Sequence, residues 1–146
     1  MHILALFIAF VAGIAMAVQG SINAALGKIT GLLEATFIVH IVGTIAVVIL
    51  LFILRLGSGD LSNAAHAPWY LYLGGLFGVI IVYGVVASIP RLGVATATTS
   101  IIVGQVGMAL VIDHFGFFGL ERVPFSWFKA AGVGLLAVGA KLMLMK

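Results

Sequence analysis

Charged positions along this chain do not alternate with apolar ones; they punctuate long apolar runs. Residues 3–27, 35–54, 67–90 and 92–112 contain no Lys, Arg, Asp or Glu. A run of roughly 20 apolar residues is long enough to cross a bilayer as a helix. The runs and their ends predict five spans, over about 3–26, 34–55, 68–90, 93–113 and 124–145. Lys28 closes the first, where Gly27 and Gly31 are expected to loosen the turn. The second has Glu34 in its first turn and Arg55 in its last, each matched to the helix dipole. Gly57-Ser58-Gly59-Asp60-Leu61-Ser62-Asn63 has the residues of a solvated loop. Pro68 opens the third span, with Trp69, Tyr70 and Tyr72 as an interfacial aromatic belt. Pro90-Arg91 ends it, and the fourth follows at once and stops at Asp113-His114. The fifth opens at Pro124, with Trp127 at the interface, and runs out at Lys146. Lys129 and Lys141 lie close enough to its ends to snorkel. A lipid-exposed backbone must satisfy its own hydrogen bonds, and the alternation of a barrel is missing, so every span is helical. The expected fold is an all-α integral membrane protein, with residues 1–146 as a single five-span domain.

Composition agrees and narrows the function. Of 146 residues, 64% are hydrophobic and 8% charged, which leaves no room for a soluble module. Cysteine is absent, which excludes disulfides, thiolate metal sites and thiol catalysis. The net charge of +3 comes from cations scattered singly, as membrane anchors rather than as a nucleic-acid patch. Ala15-Met16-Ala17 resembles a signal-peptide cleavage site. The segment before it has no Lys or Arg, however, and the apolar run continues past it, so the first span is expected to be retained. No His/Asp/Glu set has metal-ligand spacing and no nucleophile–base pair is suggested, so neither an enzyme nor a cofactor is expected.

Five spans place the termini on opposite sides of the membrane. Arg55, Arg122 and Lys129 then share one side and Lys28, Arg91, Lys141 and Lys146 the other, three cations against four. Orientation follows a Lys/Arg bias, and here there is almost none. One reading is that the chain inserts both ways and pairs with an inverted copy; the other is a single orientation set by a weak bias. An odd span count is what an inverted repeat needs, and inverted repeats around a midplane site are a common transporter plan.

Polar residues inside the spans are the candidates for function. Gln19 and Asn23 are four apart, so their amides share a helix face, beside a small stripe of Gly20 and Ala24. They are either a substrate-binding pair or interhelical glue. In span 4, Thr96, Ser100 and Gly104 form a small-residue packing stripe, while Thr98 and Gln105 share another face that suits a polar pathway. Thr99 is expected to bond back to its own helix. His40, about two turns inside span 2, is either a neutral histidine bonded to a neighbouring helix or a proton relay, with Thr44 on the same face. Gly74 and Gly78 make a GxxxG packing pair, with Gly75 and Gly84 beside it. Glu34 and Asp113 are further candidate proton or gating groups. His114, Glu121 and Arg122 lie near Asp113.

Five stretches together resemble one family. Gln19-Gly20-Ser21-Ile22-Asn23, Phe37 with Val42-Gly43, Pro68-Trp69-Tyr70 with Leu73-Gly74-Gly75-Leu76-Phe77-Gly78, Gly104-Gln105 and Ile112-Asp113-His114-Phe115-Gly116 fall in the order seen in the short YdcZ-type branch of the drug/metabolite transporter superfamily. The resemblance implies a five-span bacterial inner-membrane protein that forms half of a ten-helix assembly of two inverted halves. It points to Gln19, Asn23, Gln105 and Asp113 as the family's polar positions. His40 stands where the pattern has an apolar or aromatic residue. The membrane-embedded Glu that the four-span exporters of the superfamily carry in their first span is missing here. The expected function is a small secondary transporter subunit that moves a small polar or weakly charged organic solute by alternating access. It would work as an antiparallel homodimer or with a paired homologous subunit, with lipid and solute as partners and no nucleic acid. The other class left open is a non-transporting accessory protein that packs against partner helices.

Overall fold

In the computed structural model, which describes residues 2–145, five long helices carry the chain and no strand forms among the described residues. They are α1 (His2–Thr30), α2 (Leu32–Val48), α3 (Leu73–Leu92), α4 (Val94–Phe115) and α5 (Trp127–Leu144). Lys146, where the fifth span was expected to run out, lies outside the described residues. All five helices are long and apolar enough to cross a membrane. The stretch Leu32–Ile53 is 22 residues, which at about 1.5 Å per residue matches a hydrocarbon core of about 30 Å. By its internal contacts the chain forms two compact units, Met1–Ala87 and Ser88–Lys146.

Single glycines make two of the turns. Gly31 (φ 107°) separates α1 from α2, and Gly93 (φ 83°) separates α3 from α4. Each N–H bonds back four residues, Gly31 to the Gly27 carbonyl at 3.1 Å and Gly93 to the Ile89 carbonyl at 2.9 Å. Each carbonyl then accepts from four residues ahead, Gly31 from Ala35 and Gly93 from Ala97. A glycine is needed because no L side chain adopts this conformation cheaply. The helical hydrogen-bond ladder therefore passes through both turns, and the alanines that continue it, Ala35 and Ala97, are buried.

Within the first unit, α1 and α2 pack through small residues. Gly20, Asn23, Ala24, Ala35 and Thr36 are buried there, and Val86 of α3 is fully buried. Gly27 does not loosen a turn, as its sequence position suggested, because α1 continues to Thr30. Its missing Cβ is occupied instead by the Val86 methyl group, with Ala35 and Leu32 close by. Among the described residues, the close approach of three helices at this point depends on Gly27.

Span ends differ from the sequence expectation where local hydrogen bonds decide them. The second span closes in a π-helical turn, Ile49–Ile53. The Leu56 N–H then returns to the Leu50 carbonyl at 3.0 Å across Arg55, whose φ is 52°. Arg55 therefore lies just beyond the last turn, in a conformation usually left to glycine. Asp60 caps a 3-10 turn, Leu61–His66, by accepting from Ser62. The Ser62 hydroxyl, and then its backbone N–H, hold the Asp60 carboxyl below the ordinary aspartate value. After Pro68 a 3-10 turn, Trp69–Tyr72, precedes α3, tied back through the Tyr72 hydroxyl to the Ala64 carbonyl. α5 starts at Trp127 rather than Pro124, because Ser126 caps it by accepting from the Phe128 N–H at 3.3 Å.

In the second unit α4 and α5 pair along their length, tied at both ends. The Thr96 hydroxyl reaches the Met143 carbonyl at 3.5 Å at one end, and Lys129 lies 3.9 Å from Asp113 at the other. The segment between them folds back over the end of α4. Gly116 (φ 65°) donates to the Ile112 carbonyl at 2.8 Å, Val123 to the Asp113 carbonyl at 2.8 Å, and the Arg122 Nε to the His114 carbonyl at 2.9 Å.

The Gly27–Val86 contact gives a test. Gly27→Ala should lower thermal stability by about 1–3 kcal/mol, the usual cost of overpacking. Val86→Ala in the same chain should recover part of that loss. Additive effects in calorimetry of the detergent-solubilised protein would show that the two residues do not share this contact.

Candidate functional site

The first unit holds an open cleft of about 470 Å³. α1 contributes Gln19, α3 contributes Val82, and α2 contributes Val39, His40, Thr44, Val47 and Val48. Its walls are therefore valine, and its polar points are one amide, one imidazole and one hydroxyl. Gln19 also lines a second hollow along α1, together with Asn23, Ile14, Val18 and Ile22. The two amides share that hollow, as their four-residue spacing predicts. Asn23 is only 5% exposed. Among the described residues neither amide makes a side-chain hydrogen bond. Asn23 is buried as a residue, yet its amide atoms are not closed off, and Gln19 is exposed.

The α2 face opposite Gln19 is ordered by bonds to its own backbone. The Thr36 hydroxyl donates to the Leu32 carbonyl at 2.8 Å, His40 Nδ1 bonds the Thr36 carbonyl at 2.7 Å, and the Thr44 hydroxyl donates to the His40 carbonyl at 2.8 Å. His40 thus bonds its own helix rather than a neighbouring one, and the bond fixes its ring orientation. The other ring nitrogen, Nε2, lies on the side of Gly78 of α3, where an added Cβ would stand 3.6 Å away. A methyl there would stand in ordinary van der Waals contact with the ring nitrogen, so Gly78 leaves Nε2 uncovered, a part its GxxxG spacing does not suggest. A Cβ on Gly74 would meet nothing of its own unit within 4 Å. Thr36 is the position that sequence reasoning missed here, and Gly78 one to which it gave a packing role only. The spacing of Thr36, His40 and Thr44, one per turn on one face, was the available signal for Thr36.

The other candidates are placed elsewhere. The Glu34 carboxylate folds back over Gly31 at the start of α2, near the positive end of the helix dipole, and does not line the cleft. Thr98 and Gln105 belong to the second unit, Thr98 half-buried and Gln105 exposed, and neither makes a side-chain hydrogen bond among the described residues. Thr99 and Ser100 bond back to the Ala95 and Thr96 carbonyls, as expected for Thr99. No neighbour of its own unit lies within 4 Å of a Cβ placed on Gly104. A hollow in the second unit is lined by Thr99 and by Gly132, Gly139 and leucines of α5, without Thr98 or Gln105. Asp113 pairs with Lys129 at the end of the helix pair. His114 stacks edge-on against Phe115, ring centroids 4.9 Å apart, and its buried Nδ1 has no partner among the described residues.

The Asp113–Lys129 pair is half-exposed and long, so it is worth at most about 1 kcal/mol. Asp113→Asn should leave the melting temperature of the solubilised protein within that limit. A larger loss would mean that the carboxylate holds the α4–α5 pair together.

Residues 4–142 match the protein family described as "Putative inner membrane exporter, YdcZ". No curated protein and no solved structure matches the chain.

Proposed function

The chain belongs to this YdcZ-type branch of the drug/metabolite transporter superfamily, multi-pass transporters of the bacterial inner membrane, and from that premise we propose that it is one half of a small secondary transporter. Two copies, inverted relative to each other, form a ten-helix antiparallel homodimer, and a homologous chain of opposite orientation is the equivalent partner. A small polar or weakly charged organic solute crosses by alternating access, as the two halves rock about a site near the midplane. The family's description as exporters supports outward movement as the direction.

The observation that carries this reading is the pair of unpartnered amides, Gln19 and Asn23, inside a membrane span and facing hollows. Polar groups at that depth belong against protein or water, not lipid. They serve a solute with both donors and acceptors. Thr98 and Gln105 are the second unit's candidates for contact with the solute. Among the described residues no carboxylate lines the cleft, which argues against a strongly cationic solute, because a buried cation needs a counter-charge. His40 and Asp113 are candidate proton or gating groups, with Glu34 at the edge. The balance of three cations against four on the two sides supports insertion in both orientations.

The test compares solute profiles of cells expressing wild type, Gln19→Ala or Asn23→Ala. A solute whose cell-to-medium ratio falls with wild type should be retained in both variants, while the cross-linked dimer persists. Full export in both variants would remove the proposed site. Failure of the wild type to move any solute when reconstituted alone, with a stable complex to another membrane protein, would favour the accessory role.

A further inference from the structure

Among the described residues His40 is the only titratable side chain lining the cleft. Its Nδ1 lies 2.7 Å from the Thr36 carbonyl. A carbonyl oxygen only accepts, so the ring proton sits on Nδ1, and Nε2 of the neutral ring carries a lone pair. Thr36 is buried and its own hydroxyl is tied to Leu32, which keeps that carbonyl in place. Among the described residues nothing hydrogen-bonds Nε2. Gly78 stands opposite and adds no side chain to cover it. The result is a hydrogen-bond acceptor held in a fixed direction beside valine walls, with the Gln19 amide as the polar residue α1 contributes.

We propose that Nε2 of His40 is the specificity-determining acceptor of this cleft, selecting neutral solutes with an apolar body and an O–H or N–H donor, and that a proton competes with the solute for the same lone pair. This rests on the cleft being the solute's path. When a proton from water adds to Nε2, the Nδ1–H bond to Thr36 is kept, the ring becomes an imidazolium, and a donor-bearing solute loses its acceptor. One proton is then taken up for each solute released, which is the stoichiometry of exchange. The groups facing His40 do not compete for that proton: α1 presents Gln19, α3 presents Gly78 and Val82, and α2 presents Val39, Gly43 and Thr44. Gly78 is the positioning residue, because it leaves the acceptor uncovered.

The test uses the full chain in lipid nanodiscs with nitrogen-15-labelled histidine, the His40 signals being those lost in His40→Phe. Phenol and anisole are matched probes, alike in size but with and without a donor. The neutral ring should be the Nδ1–H tautomer. Phenol should shift the Nε2 resonance and anisole should not. Apparent phenol affinity should fall in proportion to the fraction of neutral ring read from the same nitrogen-15 signals. Gly78→Ala should cut the phenol response at least severalfold while the Nδ1–H tautomer is retained, and Gly74→Ala should leave the response unchanged. An Nε2–H tautomer, equal responses to phenol and anisole, or equal losses in Gly74→Ala and Gly78→Ala would each overturn the proposal. If the tautomer and donor selectivity hold but no solute is exported, the transport reading fails and the acceptor assignment stands.

Discussion

In a bilayer, a backbone N–H or carbonyl left without a partner costs several kcal/mol, and there is no water at depth to relieve it. The rest of the structure follows from that constraint. It explains why the chain turns from α1 to α2 and from α3 to α4 through one glycine each, Gly31 and Gly93, with the helical ladder kept on both sides. It also explains the end of α4, where Gly116, Val123 and Arg122 fold back onto three carbonyls in succession. The same constraint governs the side chains. The Ser21, Thr36, Thr44, Thr99 and Ser100 hydroxyls all donate to the carbonyl four residues earlier. Against that background the exceptions are informative. Gln19, Asn23 and His40 Nε2 have no such local partner, and they lie along two adjoining hollows.

The spans were legible because apolar length and charge position are one-dimensional signals. Four of the five helices lie over the uncharged runs, the fifth holds Lys129 and Lys141, and the family membership agrees with motifs spread over those runs. Boundaries were less legible, since they depend on caps such as Ser126 and on the π-helical close of the second span. Gly27 and Gly31 are the clearest case of what sequence alone does not separate. Both are glycines near the end of the first span, yet one makes room for Val86 and the other supplies a positive φ. Only the position of α3 distinguishes them. Gly78 illustrates the same limit, because a glycine that spaces helices and a glycine that uncovers an imidazole have the same sequence signature.

The cleft combines a rigid side and an open side. On α2, the bonds through Thr36, His40 and Thr44 fix one wall from within the helix. On α1, Gln19 offers donors and an acceptor that this wall does not consume. Valine walls supply apolar contact without competing for hydrogen bonds. On the proposed reading such a site selects by hydrogen-bond donors rather than by charge, in keeping with a cleft lining without a carboxylate among the described residues.

The central claim is that two inverted copies complete the transporter, and the absence of native cysteine makes it directly measurable. Ser58, exposed in the loop after the second span, is replaced by Cys, and intact cells are labelled with a membrane-impermeant thiol reagent before and after permeabilisation. The account predicts that about half of the population labels from outside, as equal insertion in both orientations requires. Labelling confined to one side would contradict the symmetric homodimer and leave the second half to an oppositely oriented partner chain.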